Sequence, residues 1–147
     1  MPVPCKSVDQ PGWLTLRAQL WPHCSQARHL AQMSEFIASP HRFAPYIEFN
    51  GAGAPVGFVE AALRTDHVNG TASSPVAFLE GLYVVPEARR QGIARKLVAC
   101  IEQWAIGAGC TEFASDAHLD NLQSHRMHLA LGFRETSRVV FFKKPLI

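Results

Sequence analysis

The sequence lacks the cysteine patterns that mark disulfide-stapled or zinc-binding domains. It has four cysteines in 147 residues and no C-x-x-C pair, so neither a disulfide framework nor a zinc knuckle is indicated. His125 and His128 lie three residues apart on a predicted helix, but no third ligand is spaced to join them. We therefore predict no metal site.

Long apolar runs and strongly charged stretches are also missing. No apolar run approaches the roughly 20 residues that cross a bilayer, and the first residues lack the basic-then-apolar pattern of a signal peptide. We therefore predict no membrane association and a cytoplasmic location. The formal net charge is only +2, and no run of Lys and Arg is interleaved with aromatic residues. This balance argues against a nucleic-acid partner.

The remaining composition is that of an ordinary globular protein. Hydrophobic residues make up 48% of the sequence and charged residues 18%, and a chain of this length supports a core without covalent staples. We find no internal repeat, linker or low-complexity segment. Residues 1–147 are accordingly predicted to form a single domain.

The first half of the chain predicts helices followed by a hairpin. After a short possible strand near residues 3–7, a helix behind Asp9 as candidate cap carries apolar residues at helical spacing. A second helix is predicted over residues 25–39, before Pro40. Two β-rich runs, residues 43–49 and 56–64, are separated by a turn with two glycines and a proline and predict an antiparallel hairpin.

The second half alternates strands and helices. The apolar run 76–85 predicts a central strand buried on both faces, and a helix follows from Ile93 to Gly107. A short strand at 111–116, a helix through Leu131 capped by Asp120 or Asn121, and a last strand or strand pair over 133–144 complete the order. This order predicts an α/β fold with a single mixed sheet and helices on its faces.

The most informative stretch is VVPEARRQGIARKL, residues 84–97, where an apolar strand runs through two arginines and Gly92 into a helix. A helix start exposes unpaired N–H groups at the positive end of the helix dipole, which favours an anion such as phosphate. Neither G-x-x-x-x-G-K-[ST] nor G-x-G-x-x-G is present, which weakens nucleotide hypotheses. From these residues alone, Gly92 and Ala94 can equally serve close helix–strand packing beside solvated arginines.

This stretch resembles the signature of the GCN5-related N-acetyltransferase (GNAT) superfamily, and the resemblance covers most of the chain. Arg89-x-x-Gly92-x-Ala94 matches the family motif Arg/Gln-x-x-Gly-x-Gly/Ala, whose backbone amides bind the pyrophosphate of acetyl-CoA. Downstream, Asn121 and the segment HLALGF are similar to a later family helix that begins with a cofactor-binding asparagine. The implied fold is a central, mostly antiparallel sheet with flanking helices and a splayed pair formed by its fourth and fifth strands. The implied acetyl-CoA-binding residues are Leu82, Tyr83, Val84, Arg89, Arg90, Gln91, Gly92, Ile93, Ala94 and Asn121.

A closer resemblance is to the aminoglycoside 6′-N-acetyltransferase branch. The segments LRAQLWP, DHVNGTASSPVAFLEGLYV, ASD and LGFRETSRVVFFKK are similar to that branch and occur in its order. The resemblance implies that an aromatic residue and two carboxylates, Trp21, Glu80 and Asp116, contact or orient the aminoglycoside. His23 and His67 are further candidates for the same cleft. Members of this branch are often homodimers, and the apolar VVFF segment, residues 139–142, is either an interface or internal sheet.

Acetyl transfer to an amine sets requirements that these residues can meet. An amine arrives mostly as an ammonium, so the site needs negative charge and a path for the proton. Glu80 follows the apolar run 76–79, where burial would strengthen it as a base, although a structural ion pair would give the same sequence. Asp116 is a second candidate, or a loop-capping residue. A backbone N–H of residues 82–84 would bond the developing oxyanion in a direct transfer within a ternary complex.

Some positions depart from the family pattern. His128 stands where family members often have the tyrosine that protonates the leaving thiolate, and a histidine can also donate a proton. His67 and Ser137 replace a tyrosine and a glutamate of the branch, so the sequence does not fix which amine is the acceptor. The alternatives are acetylation of another small amine, such as a polyamine or a peptide N-terminus, and a non-catalytic acetyl-CoA-binding module.

Overall fold

The elements follow the predicted order from the N-terminus to the last helix. The computed structural model describes residues 1–147, with residues 1–115 and residues 116–147 as two compact units. The single domain expected over residues 1–147 stays a prediction. The strands and helices are β1 (Val3–Pro4), α1 (Trp13–Leu20), α2 (Gln26–Ala38), β2 (Phe43–Phe49), β3 (Pro55–Arg64), β4 (Val76–Val84), α3 (Ile93–Gly107), β5 (Phe113–Ala114) and α4 (Leu122–Ala130).

One mixed sheet organises the first unit, with the strand order β1-β2-β3-β4-β5. The first four strands pair antiparallel, and β5 pairs parallel to β4. Every antiparallel pair from β2 to β4 joins consecutive strands through a short or modest loop, as alternating apolar runs with turn residues between them predict. The predicted α/β class with a single mixed sheet is confirmed.

Helices cover both faces of the sheet. A Cβ built on Gly57 of β3 points at Ile93 and Leu97 of α3, whereas the Glu60 side chain reaches α1. Positions 57 and 60 differ by an odd number, so they face opposite sides of the strand. The helix α3 therefore lies on one face and α1 on the other. The buried residues of α3 keep the helical spacing seen in the sequence: Ile93, Leu97, Val98, Ile101 and Ala105.

One helix start differs from its prediction. The helix predicted over residues 25–39 is confirmed as α2, and Ser25 is its cap, since the Ser25 hydroxyl accepts the Arg28 N–H. The Asp9 cap is wrong, because α1 begins after Gly12 in a left-handed conformation without a side-chain cap. A Cβ on Gly12 would collide with Pro55, so close approach of the β3 start fixes this glycine. In α4 the cap is Asn121, whose side chain accepts the Ser124 N–H, rather than Asp120.

The strand or strand pair predicted over 133–144 is wrong. Residues 133–147 have no strand pairing, and Val140, Phe141 and Phe142 are 77%, 86% and 92% exposed. A β-prone run forms a strand only when a neighbouring backbone satisfies its N–H and C=O groups, which sequence propensity does not supply. In the whole chain, no helix combines the length and the apolar character needed to span a membrane.

Candidate active site

Residues 89–94, which are the end of the connection from β4 and the first two residues of α3, present backbone toward open space, and we call this segment the 89–94 turn. Gly92 precedes α3 with a φ of +80°, and Arg90 also has a positive φ of 64°. No side chain caps this helix start, and a Cβ built on Gly92 meets no atom within 4 Å. Since the first N–H groups of a helix have no partner inside it, the 89–94 turn offers donors at the positive end of α3. It fits an anionic group such as a pyrophosphate.

Side chains tie this turn to the end of β4. Arg89 Nε donates to the Val84 carbonyl oxygen at 2.9 Å, and its guanidinium lies 5.7 Å from the Tyr83 ring centroid. Gln91 Nε2 lies 3.5 Å from the Glu87 carbonyl oxygen. Arg89 and Gln91 therefore hold the shape of the turn, and Arg89 and Arg90 are both exposed cations in it.

A cavity of about 440 Å³ borders the same turn. Gln91 and Ile93 are the predicted cofactor residues among those that line it, together with Lys96 and residues from the β2–β3 turn. The predicted residues Leu82 and Tyr83 do not line it. The 89–94 turn therefore borders an open cavity that Leu82 and Tyr83 of β4 do not line.

The strands β4 and β5 separate after two residue pairs. Ala77 lies opposite Phe113 and Phe78 opposite Ala114, and β4 then continues to Val84 without β5 beside it. The predicted residues 82–84 pair with β3 on their other side. On the side away from β3 no strand of residues 1–115 pairs with them, and only the Val84 carbonyl oxygen has a side-chain donor, Arg89 Nε. An extended ligand can bond to this unpaired edge as an added strand does. The splayed strand pair is confirmed.

Glu80 is the extra residue of a β-bulge in β4. Glu60 lies opposite Gly81 and Ala61 opposite Leu79, so Glu80 has no partner on β3. A bulge redirects one side chain out of the regular alternation of the strand. It explains why Glu80 is exposed between buried neighbours in an otherwise apolar run.

The burial expected for Glu80 is wrong, and an ion pair is present instead. Its side chain is 31% exposed, and Oε1 accepts from Arg64 Nη2 at 3.3 Å. Arg64 also lies over the Phe78 ring, with 3.7 Å between the guanidinium carbon and the ring centroid. The carboxylate is therefore accessible, with a single cation as its neighbour on β3.

Trp21 lies against the strand that carries Glu80. It follows α1 directly, and a Cβ built on Gly81 would lie 2.5 Å from Cη2 of the indole. The Trp21 ring also meets Phe58 edge to face, with centroids 6.0 Å apart. The structure thus brings the predicted aromatic wall and the predicted base to adjacent positions of β4.

The two further histidines are placed differently. His67 is exposed and lines a cavity of about 360 Å³ formed by the loop between β3 and β4. His23 is exposed in the turn between α1 and α2 and does not line that cavity. This cavity is therefore lined by His67 but not by His23.

The remaining predicted residues belong to the second unit, residues 116–147. Asp116 and Asn121 are exposed and His128 is partly buried. His128 Nδ1 lies 2.7 Å from the Ser124 carbonyl oxygen, and its ring meets Phe133 edge to face. The contact with a carbonyl requires a proton on Nδ1. The roles of Asp116, Asn121 and His128 stay predictions. No group of three or more metal-ligating side chains is present.

A buried polar cluster beside Trp21 was not predicted. Arg17, His29 and Glu60 are each about 1% exposed. Arg17 Nη1 donates to the Glu60 carboxylate, Arg17 Nε donates to His29 Nδ1 at 3.1 Å, and Trp13 Nε1 donates to Glu60 Oε2 at 2.7 Å. The available signal was a polar residue at a core position: Arg17 follows Trp13 by four residues, and Glu60 interrupts an apolar run.

The electrostatics of this cluster follow from its burial. Burial raises the pKa of Glu60, against the opposing effect of the Arg17 guanidinium and the hydrogen bonds from Arg17 and Trp13. Burial and then the Arg17 charge lower the pKa of His29. The lowered pKa favours the neutral imidazole, whose Nδ1 accepts from Arg17 Nε.

One protein-family model matches most of this chain. It describes the acetyltransferase (GNAT) family and matches residues 11–133. The match contains α1 to α4 and the 89–94 turn.

The curated relatives share one activity in their names. Aminoglycoside N(6′)-acetyltransferase type 1 of Serratia marcescens is 51% identical over 146 residues, which is 99% of this chain and 99% of its own. The protein of the same name from Acinetobacter baumannii is 49% identical over 98% of this chain and 97% of its own.

Solved structures agree with these similarities. Aminoglycoside 6′-N-acetyltransferase AAC(6′)-Ih from Acinetobacter baumannii has a TM-score of 0.92 at 48% identity, over 99% of this chain and 98% of its own. AAC(6′)-Iy, in complex with the bisubstrate analogue CoA-S-monomethyl-acetylneamine, has a TM-score of 0.92 at 39% identity, over 99% of this chain and 97% of its own.

Proposed function

Because this chain belongs to the acetyltransferase (GNAT) family, we propose that it transfers an acetyl group from acetyl-CoA to the 6′-amine of aminoglycoside antibiotics, and so confers resistance. The observation that carries the proposal is near full-length similarity to aminoglycoside N(6′)-acetyltransferases, at 51% and 49% identity. The unpaired edge of β4 and the 89–94 turn supply the matching geometry in this chain.

The residues of the first unit fit acetyl-CoA. Backbone N–H groups of the 89–94 turn hold the pyrophosphate, and the exposed Arg90 adds a positive charge. The unpaired edge at residues 82–84 bonds the pantetheine amides, and one N–H of this edge donates to the thioester carbonyl oxygen as charge develops on it. Acetyl-CoA supplies the activated thioester.

Glu80 manages the charge of the acceptor amine. Its accessible carboxylate attracts the ammonium, and it accepts the proton directly or through one water. The amine nitrogen then bonds to the acetyl carbon while the C–S bond breaks, and the nitrogen releases its second proton to water as the amide forms. No covalent enzyme intermediate is required. The proton that the thiolate takes comes from His128. Since Nδ1 of His128 donates to the Ser124 carbonyl, only the protonated imidazole has an N–H to give at Nε2.

The aminoglycoside is bound by one aromatic wall and two carboxylates. Trp21 provides an apolar face for a sugar ring beside Glu80, and Asp116 provides the second negative charge. Asn121 contacts the cofactor. His67 and His23 contact the periphery of the aminoglycoside. They affect which aminoglycosides bind and take no part in the acetyl transfer itself.

Thiol release from acetyl-CoA tests the proposal with the purified chain. Kanamycin, tobramycin, a polyamine and a short peptide serve as separate acceptors. We expect release with the two aminoglycosides alone. Release only with the polyamine or the peptide would keep the acetyltransferase and overturn the acceptor, whereas tight acetyl-CoA binding without release would favour a non-catalytic module.

Gly92→Val is expected to weaken acetyl-CoA binding about tenfold, which corresponds to about 1.4 kcal/mol. A β-branched residue disfavours the positive φ of this position, and its side chain occupies the space in front of the N–H groups. Titration calorimetry with acetyl-CoA measures the change.

Gly109→Val is the matched control. Gly109 follows α3 with a φ of +86° and the same open surroundings, so the backbone strain is similar but lies at the other end of the helix. Its acetyl-CoA affinity should stay normal. Equal affinity for the two variants would show that the 89–94 turn does not bind the cofactor.

We also propose a homodimer, formed through residues 139–142. This segment is apolar, β-prone and 53% to 92% exposed, and its chain has no strand pairing there. A second copy can satisfy its backbone groups and cover its side chains.

Cysteines without disulfides are typical of a reducing compartment, which supports a cytoplasmic location.

Sedimentation tests the dimer. The chain of 16.2 kDa should sediment at twice its mass, and a Phe141→Ser/Phe142→Ser variant should sediment at its own mass. Ile106→Ser, which removes an apolar residue that is 65% exposed on α3, is the control and should keep the dimer. A monomeric unmodified chain, or a dimeric double variant, would contradict the assignment.

A further inference from the structure

We infer that Arg17, fixed by Glu60, is a positioning residue for Trp21, and that it sets the orientation of the aromatic wall of the aminoglycoside subsite. This inference rests on the proposed function, in which Trp21 contacts the aminoglycoside. Arg17 does not touch substrate in this proposal. It acts on affinity for the aminoglycoside through the indole alone.

The Trp21 ring is held from several directions. The Arg17 guanidinium carbon lies 4.8 Å from the ring centroid, and the backbone N–H of Trp21 donates to the Arg17 carbonyl oxygen at 2.8 Å, which fixes where the side chain begins. Phe58 meets the ring edge to face, and Gly81 lets its far edge approach the β4 backbone. Arg17 is the one charged group among these contacts, and it stacks on the face of the ring.

The guanidinium is itself held in one orientation. Its Nη1 donates to both Glu60 oxygens, its Nε to His29 and its Nη2 to Gln32. A planar group with bonds on three of its sides cannot rotate without breaking them. Because Arg17 is only 1% exposed, water cannot replace those bonds. The orientation of Arg17 is thus transmitted to the ring that stacks on it.

The strand pair β3–β4 positions both the Trp21 ring and the Glu80 carboxylate. Glu60, which holds Arg17, lies opposite Gly81 in the β3–β4 register. Gly81 contacts Trp21, and the neighbouring Glu80 is the bulge residue. A tilt of the Trp21 ring therefore changes the gap beside Glu80. A sugar that must stack on the indole while its amine reaches the carboxylate senses that gap.

A double-mutant cycle separates positioning from a general structural role. The variant Arg17→Met/Glu60→Gln removes both charges and keeps similar volumes, so the core stays filled. Methionine has three flexible bonds and no donors, so it packs on the ring without fixing it. The changes are made in the unmodified chain and in Trp21→Ala, with KM measured for tobramycin and for acetyl-CoA.

In the unmodified chain we expect the double variant to raise the KM for tobramycin about tenfold, with the KM for acetyl-CoA unchanged. In Trp21→Ala it should add nothing, because the ring through which Arg17 acts is gone. An equal effect in both backgrounds, or an equal rise of both KM values, would overturn the inference and leave the proposed function intact. An unchanged KM for tobramycin in Trp21→Ala would overturn the inference together with the proposed role of Trp21.

Two further variants apply if the double variant folds poorly. Arg17→Lys keeps the charge and loses the planar group, and it enters the same cycle. Gly81→Ala moves the ring from its opposite edge, since the added Cβ meets the end of the indole. Gly81→Ala should raise the KM for tobramycin, whereas Gly107→Ala, with open space around it, should not. A normal KM for both Arg17→Lys and Gly81→Ala would contradict a fixed ring.

Discussion

Glu80→Gln is expected to lower kcat for acetyl transfer by about 100-fold or more, the range that a positioned general base contributes. The amide keeps the size of the side chain but neither attracts the ammonium nor accepts its proton. The Kd for acetyl-CoA should not change, because the proposal assigns its binding to backbone groups of the 89–94 turn and of the edge at residues 82–84. Steady-state kinetics with tobramycin and calorimetry with acetyl-CoA measure the two quantities.

Arg64→Gln is the control for this substitution. Glu80 and Arg64 form an exposed ion pair at 3.3 Å, so either variant breaks that pair. Exposed pairs contribute little to stability, and both proteins should fold normally. Arg64→Gln leaves the carboxylate in place and should keep its turnover. If the two variants lost activity equally, the ion pair rather than the base would be the required feature, and unchanged turnover in Glu80→Gln would remove Glu80 from the mechanism.

Local patterns predicted most of the fold. Apolar residues at helical spacing predicted α2 and α3, because that spacing is set within each helix. The hairpin of β2 and β3 followed from its turn residues. The cap of α1 was wrong because its cause is distant: Gly12 is required by the approach of Pro55, 43 positions along the chain. Contacts of this kind have no local signature.

In the candidate site, too, the features set by contiguous residues were predicted and those set by distant contacts were missed. The 89–94 turn is contiguous in sequence, so its motif could be recognised, and its backbone has the predicted form. The exposure of Glu80 was missed because it depends on a bulge, which requires the register of β3 against β4. The cluster around Arg17 was missed because an apolar pattern with one interrupting charge does not name the partner of that charge. The missing last strand shows that β-propensity without a pairing edge is insufficient.

Arg17→Met alone is expected to destabilise the protein by about 3–5 kcal/mol, because it leaves a buried carboxylate without its cation. Glu60 is 1% exposed and would keep only the Trp13 N–H as a donor. For a chain of this size the expected decrease in Tm is roughly 10 °C. Urea unfolding followed by tryptophan fluorescence gives the free energy.

The double variant Arg17→Met/Glu60→Gln should recover most of that loss, since no charge is then buried and Trp13 still has an oxygen to bond. The pH dependence of the single variant provides an independent check. Burial raises the pKa of Glu60, and Arg17 opposes that rise. Without Arg17 the pKa of Glu60 in the folded state is higher still. The stability deficit should therefore be small at low pH, where the carboxyl is protonated, and should grow as the pH rises toward that pKa. A deficit that is independent of pH, or that persists in the double variant, would attribute the loss to packing rather than to the unpaired charge.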